Sequence, residues 1–201
     1  MIRFFVFILT MTMLPLAVRA AESPAGQVAI DTASVLRGRF VEDHQSVGKP
    51  PIQSFGHFAV APAYGLIWGI EKPFPTSTVV TANGAIQDMG GFAVKLPIKN
   101  LEHLYAVVGG ALRGEWHRLE TDFIITRSGD AQHWQMLMTP RPDNPSKLPY
   151  ATITVIGSRF VEDIVLTKKD GSNDAIRFTD EILSPTPLFP QEFALFNEAA
   201  R

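Results

Sequence analysis

The side chains that could carry acid, base or metal chemistry are scattered along this sequence. Neither the HExxH pattern nor a close His-x-His spacing occurs among the histidines, which are His44, His57, His103, His117 and His133. A zinc site needs several such ligands at suitable spacing. We therefore predict no metal site, and the absence of cysteine rules out disulfides and thiolate ligands.

Other catalytic patterns are also missing. The sequence contains no G-x-S-x-G elbow and no glycine loop that could hold a phosphate. The adjacent pairs Glu42-Asp43 and Glu162-Asp163 fall in predicted strands, where neighbouring side chains point to opposite faces, so they are poor acid/base partners. We therefore predict that the protein is not an enzyme and uses no cofactor. A hydrolase acting on an acyl or glycan substrate is the less favoured alternative.

One stretch, Ser54 to Gly84, organises the chain. Its three runs of β-branched and aromatic residues, Gln53 to Val60, Gly65 to Ile70 and Ser77 to Ala82, are separated by proline and glycine, which is typical of an antiparallel meander. Asn83-Gly84 predicts a tight hairpin turn with positive φ after the third strand.

This stretch resembles the LolA family of periplasmic lipoprotein carriers. The likeness is in the order of residue types: a glycine, an aromatic strand, a proline, an apolar strand with a tryptophan, a second proline and an apolar strand before a turn. It continues from about Val35 to Asp180. The matching residues are Gly56, Phe58, Val60, Pro62, Leu66, Trp68, Pro73, Val79, Val80, Thr81 and Gly84.

The first residues have the layout of a secretory signal peptide. Arg3 precedes an apolar core from Phe4 to Leu16, and Val18-Arg19-Ala20 supplies small residues at the exit. We expect cleavage after Ala20. The alternative is a membrane anchor, but the apolar part is interrupted and shorter than about 20 residues.

The remaining chain predicts a single domain. The full sequence has 18 Lys and Arg against 20 Asp and Glu, and its net charge of −2 gives no electrostatic footprint for nucleic acid. We divide the sequence into a signal peptide at 1–20, a LolA-like domain at 21–184 and a proline-rich tail at 185–201, with a short helix from Gln191.

One good helix stands among many strands. Asn100 is a good helix cap, Leu101, Leu104, Tyr105 and Val108 form an apolar stripe, and Gly109-Gly110 is the expected stop. A turn of helix follows around Glu115 to Leu119.

Strands then run from Phe123 to Ser128, His133 to Thr139, Tyr150 to Ile156, Arg159 to Thr167 and Asp174 to Asp180. About nine strands need an apolar face covered, which is more than one long and two short helices can do.

The predicted fold is therefore α+β and mainly β, a strongly curved antiparallel sheet that forms an incomplete barrel, with a few short helices as lid or plug. Such a sheet can enclose an apolar cavity, although an ordinary filled core is the plain alternative. The residues that we predict to line the cavity and bind cargo are Phe58, Val60, Leu66, Trp68, Val79, Leu104, Trp134, Met136, Met138, Ile153 and Val155.

The resemblance implies a carrier in the periplasm. It would be a soluble monomer that takes acylated lipoprotein or lipid from an inner-membrane exporter and delivers it to an outer-membrane acceptor. The family's basic residue before the first proline, which assists cargo exchange, is replaced by Ala61, so a specialised relative with another lipid-like cargo is also implied. The alternative is a module that senses lipid or lipoprotein and signals to a membrane partner.

Overall fold

The computed structural model describes residues 24–143, 148–185 and 187–201, and for residues 98–104 it describes the backbone alone. The predicted signal peptide lies outside the described residues. The strands are β1 (Ser34–Gln45), β2 (Ile52–Ala61), β3 (Gly65–Lys72), β4 (Thr76–Val80), β5 (Ala85–Asp88), β6 (Ala93–Lys95), β7 (Phe123–Gly129), β8 (Trp134–Pro140), β9 (Tyr150–Gly157), β10 (Val161–Lys168) and β11 (Asn173–Pro185). The helices are α1 (Ile98–Arg113), α2 (Trp116–Leu119) and α3 (Pro190–Ala199).

The described strands form one 11-stranded antiparallel sheet in the order β6-β5-β4-β3-β2-β1-β11-β10-β9-β8-β7. The edge strands β6 and β7 do not pair with each other, so the barrel stays incomplete, as the sequence predicts. β1 and β11 pair at the centre and join two meanders, β1 to β6 and β7 to β11. The predicted fold class is confirmed.

The two faces of the sheet are covered by different helices. We call the face under α1 and α2 the inner face, and the face under α3 the outer face. On β2, Phe58 and Val60 belong to the inner cluster, whereas Ala59 and Ala61 belong to the outer one. This is the alternation expected along a pleated strand.

The main helix differs from its prediction at both ends. It begins at Ile98, ahead of the predicted cap at Asn100, and runs through Gly109 and Gly110. An added Cβ at Gly110 would lie 3.3 Å from a methyl carbon of Leu119, so close packing against α2 explains a glycine inside the helix. The helix ends instead at Gly114, whose φ of 74° is the left-handed conformation of a helix terminus.

The structure differs from the prediction at two smaller features. The turn after β4 forms without positive φ at Asn83 or Gly84. The Thr81 hydroxyl accepts hydrogen bonds from both of their amides, at 3.2 and 3.1 Å, and this side chain shapes the turn instead. The connector before α1 also contains an unpredicted strand, β6, which pairs with β5.

Residues 24–33 form turns beside α1 and α2. Gln27 makes the contact with both helices. Its amide donates to the Ala111 carbonyl at 2.8 Å and accepts from the Trp116 indole at 2.8 Å. This segment therefore fastens the C-terminal end of α1 and α2 to the inner face.

Candidate functional site

The residues predicted to line a cavity lie mainly on the inner face. All of them whose side chains are described are buried, and all except Val79 belong to the inner cluster. Val79 lies on the outer face, where it packs with Phe196 of α3. The side chain of Leu104 lies outside the described residues.

The inner face is solidly packed over β8 and β9. Trp134, Met136, Met138, Ile153 and Val155 have no exposed surface. We call this part of the molecule, from β7 to β10, the filled half. Its inward-facing side chains on β8 and β9 form core.

Within the filled half, packing is fixed by a pair of tryptophans. The Trp134 ring meets the Trp116 ring of α2 edge to face, with 6.0 Å between their centroids. The Trp134 indole N–H donates to the Ser158 carbonyl. A buried indole with its hydrogen bond satisfied is typical of a structural core position.

A cavity of about 210 Å³ lies instead between α1 and strands β1, β3 and β11. We call the part of the molecule from β1 to β5 the cavity half. Of the predicted site residues whose side chains the structure describes, only Trp68 contributes to the cavity wall. The described residues that line the cavity are Glu42, Trp68, Ile70, Tyr105, Val108 and Ile176.

An aromatic cluster supports the wall of this cavity. Trp68 stacks on Phe40, with 3.8 Å between the ring centroids and 20° between the planes. Phe178 meets Trp68 edge to face at 6.1 Å. These contacts hold the Trp68 ring in place at the edge of the cavity.

Two polar side chains face the apolar wall. Glu42 is half-buried, and burial first, then the negative charge of Asp174, raise the pKa of its carboxyl above the ordinary value of 4.5. Burial also raises the pKa of Tyr105 on α1.

A polar chain continues from Glu42 along the end of β1. His44 Nδ1 contacts Asp174 Oδ1, its Nε2 lies 3.0 Å from Ser46 Oγ, and Lys168 Nζ lies 2.8 Å from the other Asp174 oxygen. His44 and Asp174 are paired across β1 and β11.

Ser46, His44 and Asp174 have the contact order of a hydrolytic triad. His44 and Asp174 lie opposite each other on β1 and β11, and Ser46 lies in the turn that follows β1. We interpret the chain as a polar clasp that joins the ends of β1 and β11.

The turns beside the cavity carry exposed apolar side chains. Glu42 and Ile70 lie near the ends of β1 and β3, and the turns that follow these strands lie at the same end of the sheet as the turn after β5. Phe74 is 78% exposed and Phe92 68% exposed. We call this set the apolar rim; it comprises Val47, Ile52, Phe74, Met89 and Phe92.

Sequence reasoning missed Glu42, Ile70, Tyr105, Val108 and Ile176 as cavity residues. The sequence did contain a signal for Glu42. This residue lies two positions after Phe40 on β1, so its carboxylate shares the apolar face on which Phe40 lies. Glu42 and Asp43 do point to opposite faces, as predicted: Asp43 is exposed and accepts a hydrogen bond from Gln53.

Within the part of the chain that the structure describes, no group of three or more His, Asp or Glu residues could hold a metal ion. No helix in that part is long and apolar enough to cross a membrane.

The chain matches no family model and no curated protein. Solved structures with a similar fold include a LolA superfamily protein from Nitrosomonas europaea, at 9% identity and a TM-score of 0.45, covering 82% of this chain and 91% of that one. A DUF1329 family protein from Desulfovibrio piger is 7% identical, with a TM-score of 0.42 and coverage of 84% and 92%.

A chain of the MucA/MucB complex from Pseudomonas aeruginosa is 14% identical, with a TM-score of 0.46. The match covers 80% of this chain and 55% of that one. Members of the LolA superfamily are thus among the solved structures that are similar to this chain, in line with the predicted resemblance. At these values the similarity carries no argument about ligands or partners.

Proposed function

We propose that this protein is a periplasmic carrier that binds acylated lipoprotein or lipid in the apolar interior of its half-barrel and moves it from the inner to the outer membrane. The observation that supports this proposal best is the apolar cavity between α1 and the inner face. An acyl chain suits such a site, since each buried CH₂ contributes about 0.8 kcal/mol without any charged partner.

The size of the cavity implies that α1 acts as a lid. Pockets that enclose a drug-sized ligand have about 300–1,000 Å³, whereas this cavity has about 210 Å³. A long acyl chain would therefore enter as α1 moves away from β3 and β4. In this movement Tyr105 and Val108, which line the cavity, would leave the inner face together with α1.

The apolar rim would meet the partners of the carrier. It lies at the end of the sheet nearest to the cavity, so an exporter or acceptor that binds there would stand beside the cargo. In this proposal residues 1–20 are the cleaved signal peptide, 21–184 form the carrier domain and α3 belongs to the tail at 185–201. The carrier works as a monomer, without catalysis or a cofactor.

The test is native mass spectrometry of the protein purified from the periplasm of its own host, with organic extraction of bound material. The proposal expects an acyl lipid or acylated protein at a stoichiometry near one. An empty protein that also fails to take up a fluorescent fatty-acyl probe would contradict it.

A sensor is the second candidate, and the apolar rim is the observation that favours it. A sensor would use the rim to form a lasting complex with a membrane partner. Pull-down of a stable complex, combined with failure to pass a labelled acyl cargo to acceptor vesicles, would favour the sensor over the carrier.

A further inference from the structure

Among the described residues that line the cavity, one carboxylate lies in otherwise apolar and aromatic surroundings. Glu42 lies on β1 beside Ile176 of β11, its neighbour in the strand register. Trp68 and Tyr105 supply two aromatic rings, and the other described lining residues are aliphatic. This composition differs from that of a simple acyl pocket, which needs no charge.

The charges near Glu42 are already paired with each other. Lys168 lies 2.8 Å from one oxygen of Asp174, and His44 contacts the other. Among the described residues, no hydrogen bond to the Glu42 carboxylate is formed. A carboxylate taken from water without a partner is unfavourable, and a cation beside it offsets that cost.

The aromatic rings favour the same kind of partner. The face of a tryptophan or tyrosine ring attracts an ammonium group, and carboxylates and aromatic rings together recognise amines. Because the other described lining residues are apolar, a small ion that entered the cavity would lose its hydration water and find no further polar ligands there. A cation attached to an apolar chain would satisfy both parts of the wall.

We propose that this cavity selects amphiphiles whose apolar chain carries a protonated amine, with the ammonium group against the Glu42 carboxylate. The inference rests on the proposed function in taking the cavity as a ligand site. It adds the chemical class of the ligand's polar end.

Three probes of equal chain length test the selection: octylamine, octanol and octanoate, titrated calorimetrically into the purified protein at neutral pH and below their micelle-forming concentrations. We expect octylamine to bind about tenfold more tightly than octanol, a factor that corresponds to about 1.4 kcal/mol. Octanoate should bind least well, because its charge repels Glu42.

Matched variants locate the effect. Glu42→Gln keeps the shape of the side chain but removes its charge, so octylamine should fall to the affinity of octanol. Glu198→Gln, at an exposed position of α3 on the outer face, should bind all three probes as the unaltered protein does. The three probes are also compared in the unaltered protein, and this part of the test does not depend on whether a variant folds.

Equal binding of octylamine and octanol, or an octylamine preference that survives Glu42→Gln, would overturn the amine inference and leave the proposed function standing. Failure of all three probes to bind would overturn the inference and would also count against the apolar ligand site on which the proposed function depends.

Discussion

The cavity half and the filled half of this sheet are stabilised from opposite faces. In the filled half the inner face is fully packed, while Ile124, Leu137 and Ile156 lie exposed on the outer side. In the cavity half the outer face is packed under α3, and the inner face keeps an open volume. The support from α3 lies towards Val35 at the start of β1, whereas the cavity lies near the other end of this strand, beside Glu42.

The contact between α3 and β1 shows how that support is made. Arg37 of β1 holds Glu192 of α3 through two hydrogen bonds of 2.7 and 2.6 Å and lies 4.3 Å from the centroid of the Phe189 ring. Burial alone would raise the pKa of Glu192, but the hydrogen bonds from Arg37 and from the Phe189 amide outweigh it and lower the pKa.

The largest expected effect is in the filled half. Trp134→Ala should reduce the free energy of unfolding by about 3–5 kcal/mol, the usual cost of removing a large buried aromatic side chain. Urea denaturation measures this loss. Binding of an acyl probe per folded molecule should not change, and a selective loss of binding at full stability would show that the filled half lines the cargo site.

The support under the cavity half comes next. Arg37→Met should reduce the free energy of unfolding by about 1.5–3 kcal/mol, because Glu192 loses charged hydrogen bonds in a partly buried site. Arg177→Met, which removes an exposed pairing with Asp163 on β10, is the matched control and should change stability by less than about 1 kcal/mol. Equal losses in both variants would contradict the support role of α3.

Filling the cavity should weaken ligand binding while the protein stays folded. Val108→Phe places extra carbon atoms in the open volume beside Glu42 and should weaken binding of an acyl probe by at least about tenfold, or about 1.4 kcal/mol. Its effect on stability should stay within about 1–3 kcal/mol, because overpacking forces only local shifts. Unchanged affinity in a folded Val108→Phe protein would place the ligand elsewhere.

The charge in the cavity half should appear as a pH dependence. Because the folded state raises the pKa of Glu42 above 4.5, folding binds this proton more tightly, and stability falls as the pH rises from 4.5 through the folded pKa. Relative to Glu42→Gln, the unaltered protein should therefore lose stability between pH 4 and pH 8. A stability difference equal at both pH values would contradict this.

The smallest effect is expected for the polar clasp. Ser46→Ala removes one hydrogen bond to His44 and should cost about 0.5–1.5 kcal/mol in thermal or urea unfolding. Acyl-probe binding should be unaffected. Hydrolysis of a p-nitrophenyl ester by the unaltered protein that disappears in Ser46→Ala would instead establish the hydrolase alternative.

The fold was predictable from the sequence because strand periodicity and turn residues are local signals. Phe58 and Val60 alternate with Ala59 and Ala61, and this alternation assigns both faces of β2. The predicted helix boundaries were wrong where tertiary contacts override local preference. An example is Gly110, which lies inside the helix and packs against Leu119. A single sequence contains no sign of that contact.

The site was less predictable than the fold. Alternation shows which side chains share a face, but whether that face is filled depends on which helix crosses it and where. Trp134 and Trp68 are equivalent in pattern, yet one packs against Trp116 of α2 and the other borders the cavity near Tyr105 of α1. That difference arises from the path of the connector between the two meanders.

The tryptophans provide the most direct test of the account, since Trp68 borders the cavity and Trp116 and Trp134 lie in the filled interior. A chain-brominated alcohol, which quenches fluorescence on contact, is titrated into the unaltered protein and into Trp68→Phe. The account predicts that the unaltered protein loses the Trp68 part of its emission and that the emission of Trp68→Phe is not quenched. Equal fractional quenching of both proteins would place the ligand against Trp116 and Trp134 and contradict the division into a cavity half and a filled half.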